Sequence, residues 1–307
     1  GKIRLPKLYV ALTAILIICL IFAGMSPFDA VCNSLSTISA GGFSPNEYSI
    51  FGYQIPSAIW IIAIFMILAG TSFNLQYKAL QTKNPLVLFK DDEFKTYAAV
   101  IAVATIVIAA TLIYNHTCGI SSAIRDALFQ VTSLMTSSGF ASVDFTHWHY
   151  SAQIVLFLAM FIGSCASSAG GGIKITRWLL IFKIMKNEIL KILHPNAVLP
   201  VKHNKKAVSS DVTRQIVIFV FQYFSIIAIS AIALTLIEQN HTVGLTSAIT
   251  SIGNIGPGFG AIGPMNNFDF MHSSSKIILT VNMLVGRLEL IPFLVMLNPE
   301  FWSVKND

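Results

Sequence analysis

The sequence has very little charge for its length. Only 11% of its 307 residues are Asp, Glu, Lys or Arg, whereas 54% are hydrophobic, and the mean hydropathy is +0.70. Soluble domains have about 25% charged and about 45–50% apolar residues. So few charges cannot cover a water-facing surface, which argues against a soluble enzyme or a nucleic-acid-binding domain despite the net charge of +6. The composition predicts an integral membrane protein.

Cysteine is scarce as well. The four cysteines, Cys19, Cys32, Cys118 and Cys165, are scattered and form no CxxC pair. This spacing argues against a disulfide framework, a zinc site or a redox centre, and we expect free, buried thiols. The run GGGIKIT does not satisfy the phosphate-loop pattern G-x-x-x-x-G-K-[ST]. We therefore expect no chemical active site, no enzyme activity and no covalently bound cofactor.

Long uncharged runs dominate the chain instead. Spanning a bilayer takes about 20 mostly apolar residues, and six segments meet that requirement. The first five contain no charged residue, which disfavours a carboxylate-dependent antiporter, whereas the sixth contains Arg287 and Glu289. The predicted spans are Leu8 to Met25, Pro56 to Tyr77, Thr96 to Asn115, Tyr150 to Ile173, Gln215 to Ile237 and Ile277 to Leu297.

Three shorter apolar segments lie between paired spans. They cover Pro27 to Ile38, Ser121 to Met135 and Thr242 to Ile252, which is too short to cross and is typical of re-entrant helices. Each ends in a glycine-bearing tract with the pattern [Ser/Thr]-x-x-[Ser/Thr/Gly]-x-x-Gly. The unit of span, re-entrant helix, loop and span thus occurs three times, and we divide the chain into repeats 1–82, 83–192 and 193–307. The predicted fold class is an all-α integral membrane protein.

Positive charge predicts the orientation of the spans. Of the 20 Lys and Arg residues, all except Arg125, Lys276 and Arg287 lie at the termini or in the second-to-third and fourth-to-fifth connections. Cytoplasmic segments carry such an excess. We therefore expect both termini to be cytoplasmic and the re-entrant loops to open outward.

The three tracts are candidates for an ion filter. Non-helical backbone at membrane depth is tolerated only where it is buried in protein or lines a watery path. Its carbonyls can then replace a cation's hydration shell, and uncharged oxygens favour a monovalent over a divalent cation. One such tract alone would be read as an ordinary turn, but three at equivalent positions favour a filter. The tracts are Ser39-Ala40-Gly41-Gly42, Thr136-Ser137-Ser138-Gly139 and Gly253-Asn254-Ile255-Gly256.

Several motifs together resemble the Trk/Ktr superfamily of potassium-ion transporters, and the TrkH branch most closely. The resemblance runs from Pro6 to Trp302 and includes several distinct motifs in family order. They are STISAGGFS, SLMTSSGFASVD, FIGSCASSAGGGIKITRWLLIFK, TSIGNIGPGFG and MLVGRLELIPFLVMLNPEFW.

The resemblance implies four repeats around a central potassium path, with key filter glycines at Gly42, Gly139 and Gly256. It also implies a bacterial cytoplasmic-membrane protein, a homodimer and a cytoplasmic ring of nucleotide-binding regulatory subunits. Potassium is then the substrate, held at the filter residues, and no nucleic acid is bound. Only three repeats are present here, similar to the family's second, third and fourth. The alternative is therefore a truncated, non-conducting membrane fragment or scaffold.

Two features suggest a gate. The fourth span is interrupted by the small-residue run from Gly163 to Gly172, which includes Gly170 and Gly171. Such a run favours either a flexible break or close helix packing, and the resemblance implies an intramembrane gate loop. Arg287 in mid-span must face a cavity or a partner. It is either half of a structural ion pair or, as the resemblance implies, a positive charge below the filter.

Overall fold

Helices account for nearly all regular structure in the computed structural model, which describes residues 4–195, 199–204 and 206–288. Within these ranges, the only strands are the short pair β1 (Lys202–His203) and β2 (Lys206–Ala207), which form an antiparallel hairpin. The helices are α1 (Arg4–Phe22), α2 (Pro27–Ile38), α3 (Pro56–Gly70), α4 (Phe73–Thr82), α5 (Asp92–Tyr114), α6 (Ile120–Met135), α7 (Tyr150–Ala159), α8 (Ile175–Leu193), α9 (Ser210–Glu238), α10 (His241–Gly253) and α11 (Ser273–Leu288). Short 3-10 turns cover Ser49–Tyr53, Pro85–Lys90, Phe145–His147 and Gly260–Ile262.

The helices form three similar units. In each, a long helix is followed by a short helix that packs against it, and a third helix packs against the short one: α1–α2–α3, α5–α6–α7 and α9–α10–α11. Three buried apolar clusters correspond to these units, and the cluster of the first unit also contains Phe129 and Phe140 from the second. Such shared side chains join neighbouring units into one body. The all-α membrane fold predicted from the sequence is confirmed.

In the part of the chain that the structure describes, three helices are long and apolar enough to cross a membrane as continuous segments. These are α1 over Leu5–Phe22, α5 and α9. They agree with the first, third and fifth predicted spans, and their outward faces carry exposed apolar residues such as Ile18, Val103 and Ile229. Because lipid is itself apolar, such exposure is expected on a membrane-facing surface. The sixth span is described as far as Leu288, and Glu289 lies outside the described residues.

The prediction of one continuous second span, Pro56 to Tyr77, is wrong. Helix α3 ends at Gly70, and α4 leaves it at a bend of 98°. Thr71 is extended, and Gln76 donates its side-chain amide to the carbonyls of Leu68 at 2.6 Å and Thr71 at 3.1 Å. These bonds tie α4 to the end of α3, where the Leu68 carbonyl also accepts the N–H of Thr71 at 3.1 Å.

The fourth span is broken earlier than the glycines indicate. Helix α7 ends at Ala159, and no helix resumes until α8 begins at Ile175. The non-helical segment is therefore longer than the predicted run from Gly163 to Gly172. We call the run from Gly163 to Gly172 the glycine-rich loop.

The four cysteines are free thiols, but only Cys165 is fully buried. The prediction that all four are buried is wrong for Cys19, Cys32 and Cys118, which are half-buried.

Candidate functional site

The three tracts share one backbone geometry. The second and fourth residues of every tract have positive φ: Ala40 and Gly42 in the first, Ser137 and Gly139 in the second, Asn254 and Gly256 in the third. At the second position φ is 54°, 52° and 53°, and at the fourth it is 74°, 71° and 108°. The third residue has negative φ in each case, so handedness alternates along the tract. Three sequences with different residues thus adopt the same conformation.

The same hydrogen bonds end all three re-entrant helices. The third residue of each tract donates its N–H to the carbonyl five residues earlier: Gly41 to Ser36 at 2.8 Å, Ser138 to Ser133 at 3.0 Å and Ile255 to Thr250 at 2.9 Å. With a left-handed residue just before, this is the Schellman ending of a helix. The cap uses carbonyls of the helix, so the carbonyls of the tract residues are not needed to close it.

Sequence reasoning missed part of this geometry. It placed the conformational strain on glycines, yet Ala40, Ser137 and Asn254 are also left-handed. For residues with a Cβ this conformation costs roughly 1–2 kcal/mol, and only Asn visits it readily. A signal was available in the sequence. The first Ser or Thr of each pattern stands five residues before the third tract residue, which is the spacing of the capping hydrogen bond.

In two tracts, the side chain of the first serine of the repeated pattern helps to hold this backbone shape. Ser36 accepts the N–H of Phe43 on its Oγ at 2.8 Å, and Ser133 donates its Oγ to the carbonyl of Phe140 at 2.6 Å. Both bonds tie the residue that follows the tract back to the re-entrant helix. Two of the three tracts are therefore held at both ends by hydrogen bonds to the preceding helix.

The tracts lie side by side in chain order. A Cβ added to Gly42 would overlap the carbonyl oxygen of Ser138, and one added to Gly139 would overlap that of Ile255. Each of these glycines therefore abuts the third residue of the next tract. A Cβ on Gly256 would meet no described atom within 4 Å. The three tracts therefore lie as consecutive segments of a partial ring, and the third and fourth residues of each line one cleft.

A cleft of about 330 Å³ opens over this ring. It is lined by glycines of all three tracts together with outer-loop residues, and Glu47 is the charged residue of that lining. The C-terminal ends of α2, α6 and α10 all run into the tracts. Because helix C-termini carry partial negative charge, both the cleft and the helix ends favour a cation.

The glycine-rich loop is fastened to the break between α3 and α4. Cys165 donates its N–H to the carbonyl of Gly70 at 2.9 Å, and Ala169 donates to that of Ala69 at 3.3 Å. In return, Phe73 donates to the carbonyl of Ser167 at 3.2 Å. The early end of α3 therefore supplies the backbone groups that hold the loop at membrane depth.

Two loop glycines press against the inner side of the tracts. A Cβ on Gly170 would lie 2.6 Å from the carbonyl oxygen of Thr136, and one on Gly171 would lie 2.6 Å from that of Gly253. The N–H of Gly171 also donates to the Oγ of Ser137. The loop thus covers the second and third tracts from below, and larger side chains do not fit there.

Arg287 lies on the other side of this loop. Its side chain is exposed, and its Nη1 donates to the carbonyl of Ala169 at 3.3 Å. It lines an inner cavity of about 240 Å³ together with the loop, Lys174 and Arg177. The structure thus brings the predicted gate residues together, with Arg287 contacting the loop itself.

Two further residues hold the loop and were missed. Lys174 donates its Nζ to the carbonyl of Gly170 and to the Oγ atoms of Ser164 at 3.3 Å and Ser168 at 3.4 Å. The buried Glu93 accepts the N–H of Ala166 on its Oε1 at 2.6 Å. In the sequence, Lys174 is only one of the basic residues of a connection predicted to be cytoplasmic. No sequence feature distinguishes Glu93 from its neighbours Asp91 and Asp92.

Comparison with known proteins gives a consistent result. A protein-family model described as TrkH, cation transport protein, matches residues 6–304. The chain is 34% identical over 298 residues to the Trk system potassium uptake protein TrkH of Escherichia coli strain K12, covering 96% of this chain and 61% of that protein. It is 30% identical over 300 residues to the Trk system potassium uptake protein TrkI of Halomonas elongata, covering 96% and 60%. The chain therefore spans about three-fifths of the length of the curated relatives it matches.

A solved structure shows the same fold. The crystal structure of the potassium transporter TrkH from Vibrio parahaemolyticus superimposes with a TM-score of 0.91 at 29% identity. The match covers 97% of this chain and 64% of that one.

Proposed function

The chain belongs to the TrkH family of cation transport proteins, and from that premise we propose that it contributes a potassium path across the bacterial cytoplasmic membrane. The observation that carries the proposal is the shared geometry of the three tracts. Alternating left- and right-handed residues follow the ends of three short helices and would surround the ion path with uncharged backbone. Such backbone suits the replacement of a monovalent cation's hydration shell.

The filter would comprise Ser39 to Gly42, Thr136 to Gly139 and Gly253 to Gly256. The tight contacts at Gly42 and Gly139 support it, because they leave no room for side chains between neighbouring tracts. Potassium would enter through the outer cleft beside Glu47. In this proposal the ion is the substrate, bound by carbonyl oxygens.

Gating would depend on the glycine-rich loop and Arg287. The loop lies directly beneath two tracts, and Arg287 donates to its Ala169 carbonyl. Two unit charges 4 Å apart repel by about 4 kcal/mol at an effective dielectric of about 20, and less at an exposed group such as this one. Since 1.4 kcal/mol is tenfold in rate, even a screened repulsion slows cation passage. Opening would require the loop and the guanidinium to move away from the path.

Assembly follows from the same premise. The relatives are named as Trk system proteins, and we propose that this chain likewise acts within such a system, as a homodimer with a cytoplasmic ring of nucleotide-binding regulatory subunits. The basic segments, including Lys186 and Lys191, would lie on that cytoplasmic side. Both termini would be cytoplasmic.

One observation favours a second candidate. Gly256 faces no described atom where Gly42 and Gly139 each abut a neighbouring tract. On its own, the described ring is therefore open on one side. A non-conducting membrane fragment or scaffold is the corresponding alternative.

Potassium uptake separates the two functions. The chain is expressed in a host that lacks its own potassium uptake systems, both as given and fused to an upstream pore repeat, and growth at low potassium is measured. Growth that depends on the chain and is lost in Gly139→Asp supports the transport path. If neither form supports growth although both reach the membrane, the scaffold alternative holds.

A further inference from the structure

A short hairpin, which the charge distribution predicts to be cytoplasmic, contacts α5, and Glu93 of α5 binds the glycine-rich loop. Strands β1 and β2 join through a tight turn at Asn204, whose φ is 46°. Two-residue hairpin turns need positive φ, and asparagine is favoured there. The turn therefore suits asparagine at this position, and the Nδ2 of Asn204 lies 3.3 Å from the Nε2 of His203 in β1.

The side-chain amide of Asn204 binds the first residues of α5 with both of its polar atoms. Its Nδ2 donates to the Oδ2 of Asp91 at 2.7 Å, and its Oδ1 accepts the N–H of Asp92 at 2.9 Å. These partners are more than 110 positions away in sequence. Such a two-point contact fixes both distance and orientation between the hairpin and α5.

Asp91, which Asn204 binds, also caps the N-terminus of α5. Its Oδ1 accepts the N–H groups of Glu93 at 2.9 Å and Phe94 at 3.1 Å, so Asp91 is the N-cap of α5. An N-cap orders the first turn of its helix. That turn contains Glu93, whose carboxylate accepts the N–H of Ala166 in the glycine-rich loop at 2.6 Å. A continuous series of hydrogen bonds thus leads from Asn204 to the loop.

The hairpin is also attached to the helix that follows the loop. On α8, Lys183 donates its Nζ to the carbonyl of Lys202 at 2.8 Å, and Asn187 donates to that of Leu199 at 3.0 Å. Lys183 lies 3.4 Å from the carboxylate of Asp92 as well. The hairpin segment therefore joins α5 to α8, the two helices that bound the loop on its cytoplasmic side.

We propose that Asn204 is a positioning residue for the gate: through Asp91 and Glu93 it holds the glycine-rich loop in its closed place, so displacement of the hairpin from the cytoplasm releases the loop. The inference rests on the proposed gating role of that loop. It adds a specific route by which a cytoplasmic event reaches the gate.

The buried thiol of Cys165 reports on this positioning without any need for conduction. Cys165 lies next to Ala166 in the loop and is 1% exposed. In the protein in liposomes, with its other three cysteines replaced by serine, the rate of Cys165 alkylation by a small maleimide follows the fraction of time the loop is open. A chain that carries no potassium still gives this readout, so failure of the proposed function and failure of the positioning are distinguishable.

Four variants make the test specific. Asn204→Gly keeps a residue that tolerates positive φ while removing the amide, and Glu93→Ala removes the acceptor of Ala166. Both should raise the alkylation rate about fivefold, the ratio that corresponds to the roughly 1 kcal/mol of a lost hydrogen bond. Glu93→Gln keeps an acceptor oxygen and should stay near the parent rate. Lys206→Ala, an exposed change in the same hairpin, is the matched control and should also leave the rate unchanged.

The outcomes decide the proposal in both directions. A faster rate in Asn204→Gly and Glu93→Ala alone supports it. A parent-like rate in Asn204→Gly overturns it, whatever Glu93→Ala does. An equal increase in Lys206→Ala also overturns it, because any disturbance of the hairpin would then suffice.

Discussion

At the scale of single residues, the fourth position of each tract shows two separate reasons for glycine: the backbone angle φ and the room available for a Cβ. Gly42, Gly139 and Gly256 all have positive φ, which disfavours any other residue. Only Gly42 and Gly139 also lie against the next tract. Replacement by alanine thus strains the backbone at all three positions but forces the tracts apart at two.

Gly139→Ala should therefore be more harmful than Gly256→Ala. We expect Gly256→Ala to lose roughly 1–2 kcal/mol of stability from the left-handed backbone alone. Gly139→Ala adds the displacement of the Ile255 carbonyl, an overpacking cost of roughly 1–3 kcal/mol. Thermal unfolding in detergent measures the difference. Equal losses in the two variants would contradict the arrangement of adjacent tracts.

Arg287 gives a second residue-scale prediction. If its charge opposes cations beneath the tracts, Arg287→Ala should fold normally and raise potassium flux several-fold, whereas Arg287→Lys should stay near the parent value. If instead Arg287 belonged to a structural ion pair, its loss would cost about 3–5 kcal/mol and reduce the yield of folded protein. Flux in liposomes and the amount of folded protein, measured together, distinguish these results. A folded Arg287→Ala protein with unchanged or lower flux would disprove the gating role.

At the scale of helices and loops, two interruptions depend on each other. Helix α3 ends at Gly70, and the freed carbonyls of Ala69 and Gly70 accept N–H groups of the glycine-rich loop. The non-helical loop and the broken helix thus satisfy one another's backbone groups at a depth where water is scarce. The loop can therefore leave its place only by giving up these bonds.

Gly70→Ala tests this dependence. An added Cβ would overlap the hydroxyl of Tyr97 and lie 2.7 Å from the Cγ2 of Thr136, so the helix end must shift. We expect a loss of roughly 1–3 kcal/mol, measured by thermal unfolding. Gly119→Ser is the control, because a Cβ there meets nothing within 4 Å and serine is a good N-cap for α6. Similar melting temperatures in the two variants would show that the helix end is not tightly packed.

The same elements show what the sequence could reveal. Helix α2 was predicted to the residue, because a short apolar segment between two spans ends at the glycine-bearing tract. The bend after Gly70 was missed, because the uncharged run continues through it and the groups that bind the Ala69 and Gly70 carbonyls lie in a distant loop. Glu93 was missed for the same reason: its role is set by Ala166, which lies 73 positions away. The local sequence pattern predicts where helices lie. Where a helix breaks, and which residue holds a loop, depends on partners that are distant in sequence.

At the scale of the whole molecule, the three units pack into one body that has a cavity on each side of the tracts. The three units pack in chain order around the tracts, with the cleft beside Glu47 on one side and the cavity beside Arg287 on the other. The positive-inside rule predicts that the basic connections are cytoplasmic. On that orientation, the cleft is the outer mouth and the cavity faces the cytoplasm.

Labelling from each side tests this orientation. Single cysteines placed at Lys83, Lys186 and Lys205 in a cysteine-free background should react with an impermeant maleimide only in inverted vesicles. Cysteines at Glu47 and Asp144 should react only in intact cells. Reaction of the Lys205 position from outside would reverse the topology.

The most direct measurement of the central claim is the position of a bound cation. Rubidium or thallium can replace potassium in crystals of the protein and is located by its anomalous signal. The account predicts a peak in the central space, coordinated by backbone carbonyls of tract residues such as Gly41, Ser138 and Ile255, and its loss in Gly139→Asp. A cation bound elsewhere, or no peak at the tracts in the parent protein, would contradict the claim that these three segments form an ion filter.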